Sequence, residues 1–132
     1  MSGADLAHAA LELVGTRFRW LGRDPATGLD CLGVLVAALA RCGRPVVLPR
    51  RYPLRRTGLP DLDALAQAAG LMMTSGLAVP GDVLLVRPAP LQVHLAIHAT
   101  ASRVVHAHAA ARRVVLGPPA PDWHELGRWR LP

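Results

Sequence analysis

Asp30-Cys31-Leu32-Gly33-Val34-Leu35-Val36-Ala37-Ala38-Leu39-Ala40-Arg41-Cys42-Gly43 is the stretch that decides the fold. Asp30 is a good helix N-cap, because its short carboxylate can accept from the free N–H groups of a first turn, and Gly43 is a helix stop. The residues between them are apolar on most faces, so the spacing predicts a central, buried helix over about residues 31–42. Cys31 then stands in the first turn, where aligned peptide dipoles favour negative charge and lower a thiol pKa. Cys42 lies on the same helix, roughly 16 Å away at 1.5 Å per residue. That is beyond the reach of a disulfide, so Cys42 reads as a structural thiol.

Working outward, residues 4–14 carry Leu6, Ala9, Ala10, Leu13 and Val14 on one helical face, and Gly15 ends that helix. Residues 15–29, with three glycines and Pro25, read as a mostly irregular loop. On the other side, residues 43–60 hold four prolines and five arginines and read as an extended surface loop. A short helix is expected over 61–69. After Pro80-Gly81 come strand patterns at 82–87, 93–98, 103–108, 112–116 and 127–131, spaced as an antiparallel meander. Helices first and strands afterwards predict an α+β fold, with N-terminal helices packed on an antiparallel sheet of about five strands.

The chain of 132 residues is long enough for one core, so residues 1–132 are read as a single domain. An apolar fraction of 52% excludes a disordered chain, and five aromatics leave the core to Leu, Val and Ala. The net charge of +6 favours acidic partners. The arginines are scattered and few aromatics interleave with them, which speaks against specific nucleic-acid binding. Residues 1–5 carry no basic run, no apolar stretch resembles a signal peptide, and none is long enough to span a membrane. The expectation is synthesis in the cytoplasm without a visible export signal.

The chemistry lies in Cys31 and a set of histidines. Strand alternation places His94, Ala96 and His98 on one face and Leu95 and Ile97 on the other. With the His94 face turned to the helix, its imidazole meets the thiol, and small Ala96 leaves room for the helix end. The next strand carries Val104, His106 and His108 on one face, so a hairpin through residues 99–102 brings a second imidazole up to orient His94. Whether His106 or His108 fills that place stays open. Backbone N–H groups at the helix start, including that of Cys31, offer part of an oxyanion hole. A metal site from His94, His98, His106 and His108 is the rival reading, but it leaves Cys31 idle and matches no zinc spacing. No metal or cofactor is expected. Trp20, Trp123 and Trp129 read as core residues, and Asp82 as a turn-to-strand residue.

Five segments in order carry a family resemblance: Val14-Gly15-Thr16-Arg17-Phe18-Arg19-Trp20, Gly28-Leu29-Asp30-Cys31-Leu32-Gly33, Pro80-Gly81-Asp82-Val83-Leu84-Leu85, Val93-His94-Leu95-Ala96-Ile97 and Val104-Val105-His106-Ala107. With them the chain resembles the NlpC family of papain-like cell-wall cysteine peptidases over nearly its whole length, the Pro/Arg-rich loop excepted. The resemblance implies Cys31 as nucleophile, His94 as general base and His106 as third polar residue. It puts Asp30, Phe18 and Trp20 beside the substrate, an amide in a peptidoglycan stem peptide. Two positions depart from the family pattern: Leu32 stands where Ser is common, and Phe18 where Tyr is usual. The Asp-Cys-Leu-Gly form resembles the short phage-encoded branch associated with tail assembly. That implies phage tail proteins as partners and virion carriage to the wall, or, alternatively, a structural tail component of the same fold with little activity.

Overall fold

Ser2 caps the first helix, α1 (Gly3–Glu12), in a reciprocal box: its hydroxyl accepts from the Asp5 N–H while the Asp5 carboxylate accepts from the Ser2 N–H. The helix buries Leu6, Ala7, Ala9 and Ala10 and stops earlier than its apolar spacing suggested, leaving Val14 exposed. A computed structural model describes residues 2–46, 62–90 and 92–132. The Pro/Arg-rich loop read over 43–60 falls largely outside these, with residues 47–60 not described.

Between α1 and α2 the segment expected to be irregular holds a small hairpin, β1 (Arg23–Asp24) with β2 (Gly28–Leu29). Arg17 and Phe18 make isolated bridges, to Arg113 and Leu29 respectively. These pairings are too short to leave an alternating pattern in sequence. α2 (Cys31–Arg41) matches its expected bounds, because the Asp30 cap and the turn at Cys42 and Gly43 are both local signals. It packs on α1 on one side and on the sheet on the other. Gly33 is required where it stands: a Cβ there would collide with the Gly22 carbonyl oxygen, which lies over the first turn. The third helix, α3 (Leu62–Ala69), follows, and its Ala69 carbonyl accepts from the Arg44 guanidinium at 2.7 Å.

The sheet has six strands in the order β3-β8-β4-β5-β6-β7. β4 (Val83–Ala89), β5 (Gln92–His98), β6 (Val104–His108) and β7 (Arg113–Gly117) form the expected meander. β8 (His124–Arg130) does not extend that meander beyond β7; it returns to pair antiparallel with β4, Val83 opposite Trp129. β3 (Met72–Met73), a strand the sequence did not announce, pairs with β8 at the edge. Because β8 crosses back, β4 is an inner strand.

Asp82, fully buried ahead of β4, holds this end together. Its carboxylate accepts from Arg130 Nε at 2.7 Å and Nη2 at 2.9 Å, and from the Val79 N–H at 3.1 Å. Arg128 Nε lies 3.6 Å from the same carboxylate, an ion-pair distance too long for a hydrogen bond. Burial opposes ionisation of Asp82, but the bonds from Arg130 and Val79 and the two arginine charges hold its pKa below the usual value.

The sheet's two faces are covered differently. α1, α2, α3, Val93, Leu95, Ile97, Val105 and Ala107 share the main core. Ala96 lies on the opposite face with Leu84, Val86 and Val104, against Trp123. This corrects the expected packing: α2 covers the Leu95 and Ile97 face, and Ala96 makes no room for it. The larger apolar side chains of β5 alternate at 93, 95 and 97, and the most apolar helix covers that row. No helix among the described residues is long and apolar enough to cross a membrane.

Candidate active site

Cys31 opens α2 with its side chain in the main core, 4% exposed. Ahead of it Asp30, 0% exposed, accepts from the Gly33 N–H at 2.9 Å and the Leu21 N–H at 3.0 Å, and Arg23 Nη1 lies 3.3 Å away. Both carboxylate oxygens therefore serve the loop-to-helix junction. The carboxylate expected beside the substrate is placed behind the thiol, outside the lining of the cleft.

β5 and β6 are registered as a pair only at Ile97 with Val105 and His98 with Val104. Towards His94 and His106 that pairing ends, and a cavity of about 310 Å³ opens. One wall comes from the α2 side, with Phe18, Trp20, Cys31, Val93 and Ala107; the other carries His94, His106, His108 and Trp123. The opening explains how a thiol and an imidazole from opposite faces of a sheet share one cavity: the cavity lies where β6 has left β5.

His94 Nε2 and His106 Nδ1 are 3.0 Å apart, so of the two candidates for a second imidazole the geometry brings His106, not His108, to His94. His108 Nδ1 accepts from the Ala111 N–H at 3.0 Å, within its own turn. His98 is buried and bonded through Nδ1 to the Thr100 carbonyl oxygen at 3.0 Å, away from the cleft lining. With Nε2 of His94 occupied, its Nδ1 is the nitrogen left for another partner in the cavity.

Trp123 is the residue that sequence reasoning misplaced. It was read as core; instead its ring lines the cleft, 5.4 Å from the His94 ring centroid and 5.0 Å from that of His106, edge-on to both. No local pattern signals this, because β8 reaches the imidazoles only by its return to β4. Trp20, which its residue type assigns to the core and the resemblance to the substrate side, is 53% exposed and lines the cleft with Phe18, their ring centroids 6.4 Å apart. Trp129 is the one of the three in the main core.

The electrostatics also correct an expectation. A helix start lowers a thiol pKa, but here burial pushes the Cys31 thiol up to about 12, and the adjacent Asp30 charge adds to the rise; N–H groups of Leu95 and Leu32 oppose it. Burial likewise depresses His94 to about 3, helped by the neighbouring His106 and His108, and His106 to about 4, helped by His108. Each shift favours the neutral form, thiol for Cys31 and imidazole for His94 and His106. Among the described residues no group of three or more His, Cys, Asp or Glu is arranged to hold a metal ion.

No protein-family model and no curated protein matches the sequence. Solved structures do match in fold. NlpC2 from Trichomonas vaginalis superposes with a TM-score of 0.70 at 16% identity, over 97% of this chain and 48% of that one. An NlpC/P60 family protein from Bacillus cereus superposes with 0.63 at 20% identity, over all of this chain and 41% of that one. The NlpC/p60 domain of the peptidoglycan hydrolase SagA is 26% identical, with a TM-score of 0.61 over 89% of this chain and 90% of the domain. The chain spans less than half of the Trichomonas and Bacillus proteins and nearly all of the SagA domain. Its fold is that of NlpC/P60 domains, papain-like and α+β.

Proposed function

We propose that this chain is a cysteine peptidase of the NlpC/P60 kind that hydrolyses amide bonds in peptidoglycan stem peptides. The observation that carries the reading is the 3.0 Å contact between His94 Nε2 and His106 Nδ1 in the cavity that also holds Cys31. For His94 Nδ1 to accept a proton, Nε2 must carry its own hydrogen and donate it to His106 Nδ1. His106 thereby fixes the tautomer and orientation of the base, as the third member of a triad does.

A neutral thiol and a neutral imidazole imply general-base catalysis in one motion. His94 Nδ1 takes the Cys31 proton as the sulfur bonds to the amide carbon. The oxyanion forms beside the Cys31 N–H, which has no acceptor within the helix at its first position. Collapse breaks the C–N bond, and the departing amine takes the proton from His94. Water, deprotonated by the same nitrogen, then splits the thioester, releasing a carboxylic acid and restoring the thiol.

Digestion of purified peptidoglycan with mass analysis of the fragments tests this. New stem-peptide fragments are expected from wild type and none from Cys31→Ala. Equal cleavage by both would defeat the mechanism, and absence of cleavage by folded wild type would move the structural tail-component reading to first place. Carriage on a phage tail is a further part of the proposal, supported only by the Asp30-Cys31-Leu32-Gly33 form. Finding the chain in purified virions by mass spectrometry is its check.

A further inference from the structure

The wall that carries the imidazole pair does not end at His108. On β7, Arg113 is registered directly opposite His108, and Arg17 is bridged directly opposite Arg113. Directly opposed residues share a face of the sheet, so Arg17, Arg113 and His108 form a row on the face that carries His94 and His106. All three are exposed. The sequence has no Asp or Glu between Asp82 and Asp122, nor between Glu12 and Asp24, and neither guanidinium has an acidic partner among the described residues. Like charges placed directly across a ladder repel, so the Arg17–Arg113 pair, with no ion pair to an acid among the described residues, carries an electrostatic cost. His108 adds a directed donor: its Nδ1 accepts from the Ala111 N–H, so its Nε2 bears the proton and is free to donate outward.

We propose that Arg17, Arg113 and His108 form an anion subsite on the outer wall of the cleft, built to hold a carboxylate or phosphate of an extended substrate. Strands lie about 4.8 Å apart and β6 has left β5 at His94, so β7 stands at least about 10 Å from the strand of His94. An extended peptide covers about 3.3 Å per residue, which puts the anionic group three or more residues from the part of the substrate that lies at His94. Assigning that anion to the cleft's substrate rests on the peptidase reading; the binding itself does not.

The test is thermal denaturation of the full chain at low salt, titrated separately with tricarballylate and with tripolyphosphate. Wild type and Cys31→Ala should both rise by about 5 °C at roughly tenfold over the probe's Kd. Arg17→Gln/Arg113→Gln should lose the rise and, with its cross-strand repulsion gone, melt no lower than wild type in anion-free buffer. A larger response to tricarballylate assigns the subsite to peptide carboxylates, and a larger one to tripolyphosphate assigns it to a phosphodiester polymer. No rise in wild type, or the same rise in the double variant, would overturn the subsite. So would a double variant less stable than wild type without anion, since the arginines would then have a structural task. Loss of peptidoglycan cleavage in Cys31→Ala with its anion response intact separates this proposal from the catalytic one.

Discussion

Asp30 and Asp82 are both fully buried, and each stands one residue ahead of an element, α2 and β4 respectively. Their surroundings set them apart. Asp82 is met by two arginines from β8 and ties the last strand to the middle of the sheet. Asp30 is met by two loop and helix N–H groups and by Arg23, and its charge bears on the neighbouring thiol. The same side chain thus serves as a clamp where cations surround it and as a cap with an electrostatic cost where a thiol adjoins it.

The largest effect should come from breaking the clamp. Asp82→Ala leaves Arg128 buried and Arg130 half-buried without their carboxylate, and about 3 kcal/mol of stability should be lost in denaturant titration. Cleavage per folded molecule should change little, because Asp82 does not line the cleft.

Acid should separate the two ends of the molecule by pH window. His94 and His106 are depressed from 6.5 to about 3 and about 4, so below pH 6.5 the unfolded chain binds protons that the folded chain refuses. Stability must then fall as pH falls; for His106 alone the loss reaches up to about 2 kcal/mol between about pH 6.5 and 5. Asp82, held below 3.8, contributes stability that is lost only at lower pH, as its folded form takes up a proton. Melting temperature against pH should show the first limb in wild type and a flatter one in His94→Gln, with the second limb unchanged. An identical first limb in both proteins would show that the imidazole pair is not its source.

The smallest effect should come from Asp30→Asn, which keeps an acceptor for the Gly33 N–H while removing the charge. The Cys31 thiol should ionise at lower pH than in wild type, read as the pH dependence of iodoacetamide alkylation. Asp30→Ala should add a capping loss of about 1 kcal/mol. A thiol profile unchanged in Asp30→Asn would restrict Asp30 to the cap.

The parts of this molecule that depend on near neighbours were legible in its sequence. Asp30 and Gly43 announced α2, and alternation announced β4 to β7. Placing His94 and His106 on successive hairpin strands was enough to bring the rings together. What stayed hidden depends on distant pairing. Nothing near residues 124–130 says that β8 returns to β4, so Trp123 could not be placed over the imidazoles. The thiol was misjudged for a related reason: a helix-start dipole is visible in sequence, whereas the burial that outweighs it is a property of the assembled core.

The return of β8 has a consequence for how this chain folds. Val83–Arg87 has β5 on one side from a local hairpin, but its other side is closed only by His124–Arg130, about forty residues later, and β3 waits for the same strand. Until β8 docks, β4 is an open edge bearing Val83, Leu84, Leu85 and Val86, a template for unwanted strand addition. Closing such a long loop sets folding on the slow side for a domain of this size. A chain truncated before residue 123 would keep Cys31, His94 and His106 while losing Trp123 and the strand that seals the sheet. Aggregation is therefore the failure to look for in C-terminal deletions.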